Sequence, residues 1–298
     1  MPLKIELPND DVKISLDEFL SIVDSKNCNF DNQESILEIA PHLKHLSHNK
    51  RFLIEKNLED LKDLANFQLL NYYGPQVFML HTCDKYFVRA NVWRTVSQLE
   101  NSIDEFKYDI CHDHNFDILT VGYLGPGYRA RTYTYDITKV EGLLGEKVPM
   151  EAEGILTLEE GCVLLYRAKK DIHIQMPPDD LSVSLNFIPR NRKIDLPQFQ
   201  FNEENSTICR YLHSSGKELV VRLAGLLGDE NTFDVLDTIA QRHHSPHLRA
   251  LAALSQIQIA PDKEESVYER LIKQGTVVER FIVDVEKENY GRCLTLWD

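Results

Sequence analysis

The fold is decided by two fragments of the chain, Cys111-His112-Asp113-His114-Asn115-Phe116-Asp117 and Asp171-Ile172-His173-Ile174-Gln175. Side chains two residues apart leave the same face of an extended strand, so the first fragment predicts that His112 and His114 project together while Asp113 points away. His173 lies in a strand-like pattern of its own. Three neutral imidazoles that converge inside a small barrel would form a facial site for Fe(II), Cu, Ni or Zn and leave coordination positions open.

The bulk composition is that of an ordinary globular chain. Its 298 residues suffice for one large or two modest domains with a buried core. The net charge of -14 argues against nucleic-acid binding, which needs a concentrated basic surface. Residues 1–11 lack the apolar core of a signal peptide, and no apolar run reaches membrane-spanning length, so a cytoplasmic protein without a membrane partner is expected. The six cysteines are scattered without a CxxC pair, which predicts reduced thiols.

Apolar residues recur at helical spacing between Ser15 and Asn71. This spacing predicts three helices before the stop signal Tyr73-Gly74-Pro75. The helix-forming positions fall into three groups: Leu16, Phe19, Leu20 and Val23; Ile36, Leu37, Ile39 and Ala40; and Phe52, Leu53, Leu58, Leu61, Leu64, Ala65 and Leu69.

After Pro75 the chain becomes rich in β-branched and aromatic residues, which suit a pleated sheet. Strand-like segments follow at intervals of roughly ten residues and are separated by turns such as Gly125-Pro126-Gly127, a pattern typical of an antiparallel sandwich or barrel. The segment 96–106 is predicted as a short helix or an ordered loop. The predicted strands are 76–82, 86–93, 110–114, 118–124, 128–135, 153–158, 162–167, 171–175 and 181–188.

Beyond Pro197 the helical spacing returns, with breaks predicted at Gly228, Pro246, Pro261 and Gly275. The expected fold class is therefore α+β, with a central antiparallel β-barrel between helical segments. The predicted domains are a helical N-terminal segment at 1–75, the barrel at 76–197 and a helical C-terminal segment at 198–298.

Residues 111–187 resemble the cupin superfamily, a double-stranded β-helix that holds the metal of many enzymes. The first cupin motif, a HxH pair followed by an acid and later a glycine, is similar to His112-Asp113-His114 with Gly122 and Gly125 downstream. The second, a glycine, a turn, a histidine and an asparagine, is similar to Gly161, His173 and Asn186.

The chain departs from the cupin pattern in two places. The turn before His173 is Ala168-Lys169-Lys170-Asp171 where cupins have Pro-x-Gly, and Ile118 or Leu119 stands where many cupins carry a glutamate ligand. The missing glutamate makes the site resemble the three-histidine thiol dioxygenases such as cysteine dioxygenase. Asp117, one position early, is open as a fourth ligand, as a partner that fixes an imidazole tautomer, or as a turn residue.

The resemblance implies that His112, His114 and His173 hold Fe(II), with Zn, Mn, Ni or Cu as other candidates. Ordinary barrel-lining or surface histidines are the alternative interpretation. Tyrosines and arginines alternate on one face of the strand after the Gly-Pro-Gly turn. If that face lines the barrel, a guanidinium there would bind a substrate carboxylate; if it faces outward, these are solvated edge residues. The candidate catalytic residues are Tyr135 and Tyr166, and the candidate substrate-binding residues are Arg129, Arg131, Tyr133 and Gln175.

The function expected from this pattern is that of a mononuclear non-haem iron oxygenase of cupin type, which oxidises a small substrate, one able to carry a carboxylate, with O2. Two alternatives stay open: a metal-free cupin-like protein that binds a ligand or partner through its helical flanks, and a Zn or Mn isomerase or hydrolase. A homodimer formed through the helical segments is a further expectation.

Overall fold

The computed structural model describes residues 1–65, 67–68, 71, 73–99, 108–190, 197–212 and 216–294, with side chains to residue 285 apart from that of residue 99. The chain divides into two compact units. The first comprises Met1–Asp136 and Pro149–Ile194, and the second comprises Ile137–Val148 and Asp195–Asp298. None of the described helices combines the length and the apolar character needed to cross a bilayer.

The N-terminal region of the first unit is helical, as predicted, but it forms four helices where three are expected. A capping box at Ser15 begins the first of them, and Pro41 at the start of the third separates it from the second. The last predicted helix ends early, at Asp60, and residues 66, 69 and 70 of that run lie outside the described residues. The helices of this unit are α1 (Leu16–Ser25), α2 (Gln33–Leu37), α3 (Ala40–His48), α4 (Phe52–Asp60) and α5 (Val96–Leu99).

The strands of the first unit form two antiparallel sheets, which confirms the antiparallel β-region. The six-stranded sheet has the order β1-β7-β4-β9-β3-β2 and the three-stranded sheet the order β6-β5-β8. The described strands are not joined into one closed barrel. The strands are β1 (Leu3–Lys4), β2 (Val77–Thr82), β3 (Tyr86–Trp93), β4 (Ile118–Leu124), β5 (Arg129–Thr134), β6 (Glu151–Thr157), β7 (Val163–Tyr166), β8 (Asp171–Met176) and β9 (Ser182–Pro189).

The six-stranded sheet is buried on both faces, because two apolar clusters cover it. One face packs against the N-terminal helices through side chains such as Phe19, Leu119 and Phe187. The other face carries Trp93, which packs with Tyr128 near the three-stranded sheet. Each large apolar side chain that is fully buried contributes about 1.5–3 kcal/mol. The second face is called the inner face below.

The longer segment of the second unit, Asp195–Asp298, starts with a hairpin that the sequence pattern does not reveal. Phe199 and Phe201 are buried on alternate positions of its first strand. Beyond it the helices are interrupted at all four predicted breaks. The central helix α8 buries its own alanine and leucine side chains on several of its sides. The elements are β10 (Phe199–Asn202), β11 (Thr207–Tyr211), α6 (Gly216–Leu227), α7 (Glu230–Arg242), α8 (Pro246–Ile259), α9 (Glu264–Gln274) and α10 (Val277–Leu294).

Candidate metal centre

The histidine-bearing fragment lies along β8 but is not a regular strand. The predicted strand 110–114 is wrong in that respect, because only His112 forms a β-bridge, with His173. The bridge is reciprocal: the N–H of His112 donates to the carbonyl of His173 over 3.1 Å, and the N–H of His173 donates back over 2.9 Å. Residues opposite each other in such a pair project to the same side. The backbone therefore sends the two imidazoles in one direction.

His114 is held by a third backbone contact. Its carbonyl accepts the N–H of Lys169 over 2.8 Å, in the turn that precedes β8. Lys169 has a φ of 52°, a left-handed conformation that is uncommon for a residue with a side chain. The turn thus fixes the spacing between His114 and the strand that carries His173.

The three imidazoles meet at their Nε2 atoms. Nε2 of His173 lies 3.1 Å from Nε2 of His114 and 3.2 Å from Nε2 of His112. Two nitrogens bound to one ion at about 2.1 Å are separated by about 3.0 Å at a right angle and about 3.4 Å at a tetrahedral angle. The observed separations fall between these values, so the donor set fits a single ion. Among the described residues, this is the group of histidine, cysteine and carboxylate side chains close enough to hold a metal.

The tautomer of His112 is fixed by its own backbone. Its Nδ1 lies 2.9 Å from the carbonyl of Ile110, which can only accept a hydrogen bond, so the ring proton is on Nδ1. Nε2 then presents a lone pair toward the other rings. A proton on Nε2 of His173 could form a linear hydrogen bond to only one of the two neighbouring nitrogens. A single cation, in contrast, accepts the lone pairs of all three nitrogens. The buried Nδ1 of His173 lacks such a lock among the described residues.

The electrostatic environment keeps His114 and His173 neutral. Burial lowers the pKa of His173 well below its usual value, and the neighbouring His112 lowers it further. Burial likewise lowers the pKa of His114 well below its usual value, with contributions from the two other histidines and from the cations Arg89 and Lys169. Neutral imidazoles are the form that binds a metal.

Asp113 forms a buried ion pair with Lys169 beside the three histidines. Its carboxylate accepts hydrogen bonds from Nζ of Lys169 over 2.9 Å and from the hydroxyl of Tyr135 over 2.7 Å. Asp113 is fully buried and the Lys169 side chain nearly so. Tyr135, a predicted catalytic residue, is thus placed on Asp113, and burial together with this carboxylate raises its pKa. The pair ties the segment between the two histidines to the turn before β8.

Tyr166 and Gln175 are brought to the histidines. The Tyr166 ring lies 4.7 Å from the His173 ring, and its hydroxyl lies 3.3 Å from that of Tyr128. Gln175 shares the face of His173 on β8 and interacts with Tyr128. Burial raises the pKa of Tyr128 to about 12 and that of Tyr166 well above its usual value. Both phenols are therefore protonated at neutral pH.

The arginines of β5 lie on the other face. Thr132 of β5 stands opposite His173, whereas Arg131 stands opposite Ile174 and Arg129 opposite Met176. Arg129 is exposed and pairs with the exposed Asp179 over 3.8 Å. Tyr133 follows the same register as the arginines. The structure therefore does not bring Arg129, Arg131 or Tyr133 to the histidines.

The contacts of Asp117 and the burial of Cys111 indicate structural roles for both residues. The carboxylate of Asp117 accepts the N–H of Ala168 over 2.8 Å, which stabilises the turn before β8. Burial raises the pKa of Asp117, and the hydrogen bond from Ala168 opposes this effect. Asp117 is absent from the metal-competent group of described residues, which agrees with the turn interpretation. Cys111 is a buried thiol.

Sequence reasoning missed Arg89 on β3. It lies on the inner face with Trp93, while its neighbours Val88 and Ala90 pack under the helices. Its charge is among those that disfavour protonation of His114. The available signal was a single charged residue in the middle of an otherwise uncharged strand.

Comparisons with known proteins give only weak likenesses. No family model and no curated protein matches the chain. Among solved structures, hydroquinone 1,2-dioxygenase PnpCD in complex with Cd2+ and 4-hydroxybenzonitrile is 14% identical, with a TM-score of 0.28 over 41% of this chain and 68% of that chain. The structure described as DMSP lyases RdDddP and RnDddQII is 14% identical, with a TM-score of 0.26 over 41% of this chain and 50% of that chain.

A third solved structure, procruciferin, an 11S globulin from Brassica napus, is 11% identical. Its TM-score is 0.25, over 43% of this chain and 28% of that chain. The matched part is thus less than two thirds of the second and third of these chains. Likenesses of this size assign neither a family nor an activity.

Proposed function

We propose that this chain is a metal-dependent enzyme with a cupin-type fold, most simply a mononuclear non-haem iron oxygenase that oxidises a small substrate with O2. The observation that carries the proposal is the convergence of three Nε2 atoms, from the buried His112 and His173 and the half-buried His114, with Nε2 of His173 at 3.1 and 3.2 Å from the other two. His112, His114 and His173 would hold the ion. Fe(II) bound by three neutral nitrogens would supply redox chemistry and positions where substrate and O2 bind.

The surrounding residues would orient the substrate and exclude water. Tyr128 and Tyr166 lie in the apolar cluster of the inner face, and their phenols stay protonated. Because the two hydroxyls hydrogen-bond each other and each has one proton, one of them at a time can donate a hydrogen bond to an oxygen atom of a bound substrate, and neither can act as a general base at neutral pH. Gln175 would add a polar contact from β8, on the face that carries His173. The polar contacts of a substrate would come from these groups, and its apolar part would pack on the aromatic rings.

The metal is tested directly. Protein purified without chelators is analysed for bound metal and then reconstituted without oxygen with Fe(II), Zn(II) or Mn(II). The wild type is expected to bind one ion, and the variants His112→Ala, His114→Ala and His173→Ala are expected to lose at least about 100-fold in affinity. His45→Ala is the matched control, because that histidine lies on α3 and pairs with Asp10 over 3.2 Å.

The reaction class needs a second measurement. Nitric oxide, an analogue of O2, is added to the Fe(II) protein, and EPR is used to detect a high-spin iron nitrosyl. A signal from the wild type supports an oxygenase with an open position. Tight binding of Zn(II) without reactivity of the Fe(II) form would favour the isomerase or hydrolase alternative. Equal metal binding by the wild type and the three histidine variants would contradict the whole proposal.

A further inference from the structure

A row of polar side chains crosses the inner face of the six-stranded sheet. Arg89 of β3 stands opposite Asn186 of β9, and Asn186 stands opposite Thr120 of β4. Side chains directly opposite each other in antiparallel strands are about 4.5–5.5 Å apart at Cβ, so the three form a continuous polar strip. Their sequence neighbours Val88, Leu119 and Phe187 pack on the opposite face. The strip therefore points toward the interior that contains Tyr128.

The strip holds hydrogen-bonding atoms without partners. Nε of Arg89 and Oγ1 of Thr120 are both buried and lack a hydrogen-bond partner among the described residues. The amide nitrogen of Asn186 donates to Asn91 over 3.2 Å. Native proteins leave few buried polar atoms unpaired, and the exceptions often mark places that a ligand completes. Two such atoms in one cross-strand row indicate a site built for a polar group.

Among the described residues, no carboxylate forms an ion pair with Arg89. Its guanidinium lies 4.5 Å from the ring centre of Tyr73, a cation–π contact that offsets only part of the cost of burying the charge. Burial lowers its pKa, and the groups that oppose this effect are the phenols of Tyr73 and Tyr128. Part of the side chain is still accessible. A desolvated cation without a counter-charge costs stability, so its presence calls for an anion that the described part of the chain does not supply.

The strip and the histidines share the interior of the first unit. Tyr128 interacts electrostatically with Arg89, and its hydroxyl lies 3.3 Å from that of Tyr166, whose ring is 4.7 Å from His173. A molecule bound on the strip would therefore lie next to the candidate metal centre.

We propose that Arg89, with Thr120 and Asn186 beside it, binds an anionic group of the substrate, a carboxylate in the simplest case, next to the three histidines. The planar guanidinium matches a carboxylate through paired N–H donors, and the hydroxyl of Thr120 can add a third hydrogen bond. That the anionic group belongs to a substrate rests on the proposed function. The anion site itself requires no metal.

The binding test uses metal-free protein and three carboxylates paired with their neutral amides: acetate and acetamide, succinate and succinamide, benzoate and benzamide. Trp93 shares the inner face with Arg89, and substitution Trp297→Phe removes the second tryptophan of the chain, so fluorescence reports from Trp93 alone. At least one carboxylate is expected to bind more tightly than its amide. Arg89→Met is expected to weaken that carboxylate by about tenfold or more and leave the amide unchanged.

Two variants keep the test independent of folding. Arg89→Lys retains a charge without the planar fork and is expected to show an intermediate loss. Arg210→Met removes an exposed arginine of β11 and is the matched control, with no change expected. Thermal unfolding supplies a second readout: a structural arginine lowers the melting temperature when it is replaced, whereas an anion-binding arginine without a counter-charge leaves it unchanged or raises it.

The proposal is overturned if no carboxylate binds the wild type more tightly than its amide, or if Arg89→Met retains the preference. Its failure is separable from that of the proposed function, because metal content is measured on the same variants. Carboxylate binding that depends on Arg89 in a protein that takes up no metal would support the anion site and refute the oxygenase.

Discussion

At the scale of single residues, the buried ion pair of Asp113 and Lys169 positions the segment that carries His112 and His114. Lys169→Met removes the cation and leaves the Asp113 carboxylate buried, so we expect a loss of about 3–5 kcal/mol in the free energy of unfolding. Asp113→Asn should be similarly costly because it leaves the lysine unpaired. Urea unfolding of both variants measures these losses.

The double variant Asp113→Asn with Lys169→Met is the control for this pair. It buries no unpaired charge, so its loss should be smaller than the sum of the two single losses. Metal affinity should nevertheless stay reduced in all three proteins, since the segment between His112 and His114 has lost its side-chain ion pair with the turn and keeps only the backbone hydrogen bond from Lys169 to His114. Additive stability losses, or wild-type metal affinity in the double variant, would contradict this positioning role.

The sequence singles out His112 and His114 by their i, i+2 spacing and His173 by its resemblance to the second cupin motif, although the segment 110–114 is not the regular strand that the spacing assumes. It could not choose the face of β5, because alternation leaves two orientations and only the pairing of Thr132 with His173 selects one. Arg89 was missed for a related reason. Its significance comes from its cross-strand neighbours Thr120 and Asn186, which are distant in the sequence.

At the scale of elements, the turn that joins β4 to β5 depends on a close approach at Gly127. This glycine has a φ of 80°, and a Cβ placed on it would lie 1.9 Å from the carbonyl oxygen of Leu158. Gly161 has nearly the same φ, 77°, with nothing within 4 Å of such a Cβ. Gly161→Ala should therefore cost about 1 kcal/mol from backbone strain alone.

Gly127→Ala adds a steric clash with backbone to the same strain, so its loss should exceed that of Gly161→Ala by about 2 kcal/mol or more. Chemical denaturation of the two variants side by side measures the difference. Equal losses would show that the approach to Leu158 relaxes without cost.

Most strands were predictable, because β-branched and aromatic residues between Gly and Pro turns leave little choice of structure. The hairpin of β10 and β11 was not, because each strand is short and follows Pro197 in a region whose later residues are strongly helical. The helix boundaries at Gly228 and Pro246 were clear, since these residues disfavour continuation of a helix for steric reasons.

In the second unit, a buried ion pair joins α8 to α10. Nε and Nη2 of Arg249 donate to the two carboxylate oxygens of Glu279 over 2.9 and 3.1 Å. Burial alone would raise the pKa of Glu279, but hydrogen bonds from Arg249 and Thr276 lower it below the usual 4.5. The pair therefore stabilises the fold fully above pH 4.5, and this contribution is lost as the pH falls through the lower pKa of the folded state.

Glu279→Gln should cost about 2 kcal/mol at neutral pH and should remove this acid-dependent part of the stability. Urea unfolding between neutral and acid pH measures both effects. Glu269→Gln is the matched control, because its pair with Lys273 is exposed on both sides and should contribute about 0.5 kcal/mol or less. Parallel pH profiles of the wild type and Glu279→Gln would contradict this assignment.

At the scale of the whole molecule, the units do not follow the order of the chain. Residues Ile137–Val148 belong to the second unit although the strands before and after them, β5 and β6, pair in the first. Within the second unit, Gly145 donates to the carbonyl of Ile208 over 2.7 Å, and Val148 donates to that of Ser206 over 2.8 Å. Such an insertion depends on contacts between distant residues, so composition and periodicity could not reveal it.

The candidate ligands His112, His114 and His173 all lie in the first unit, so a bound metal should stabilise that unit alone. A ligand that binds only the folded form at 100 times its dissociation constant adds about 2.7 kcal/mol to the free energy of unfolding. Calorimetry of the full chain with Zn(II) should therefore move one of two thermal transitions, and Trp93 fluorescence in the Trp297→Phe background should follow the transition that moves. Chelator should reverse the shift, and His114→Ala should abolish it while leaving the other transition in place. If both transitions move together in the wild type, the two units unfold as one cooperative body, and the metal's effect is not confined to the unit that carries its ligands.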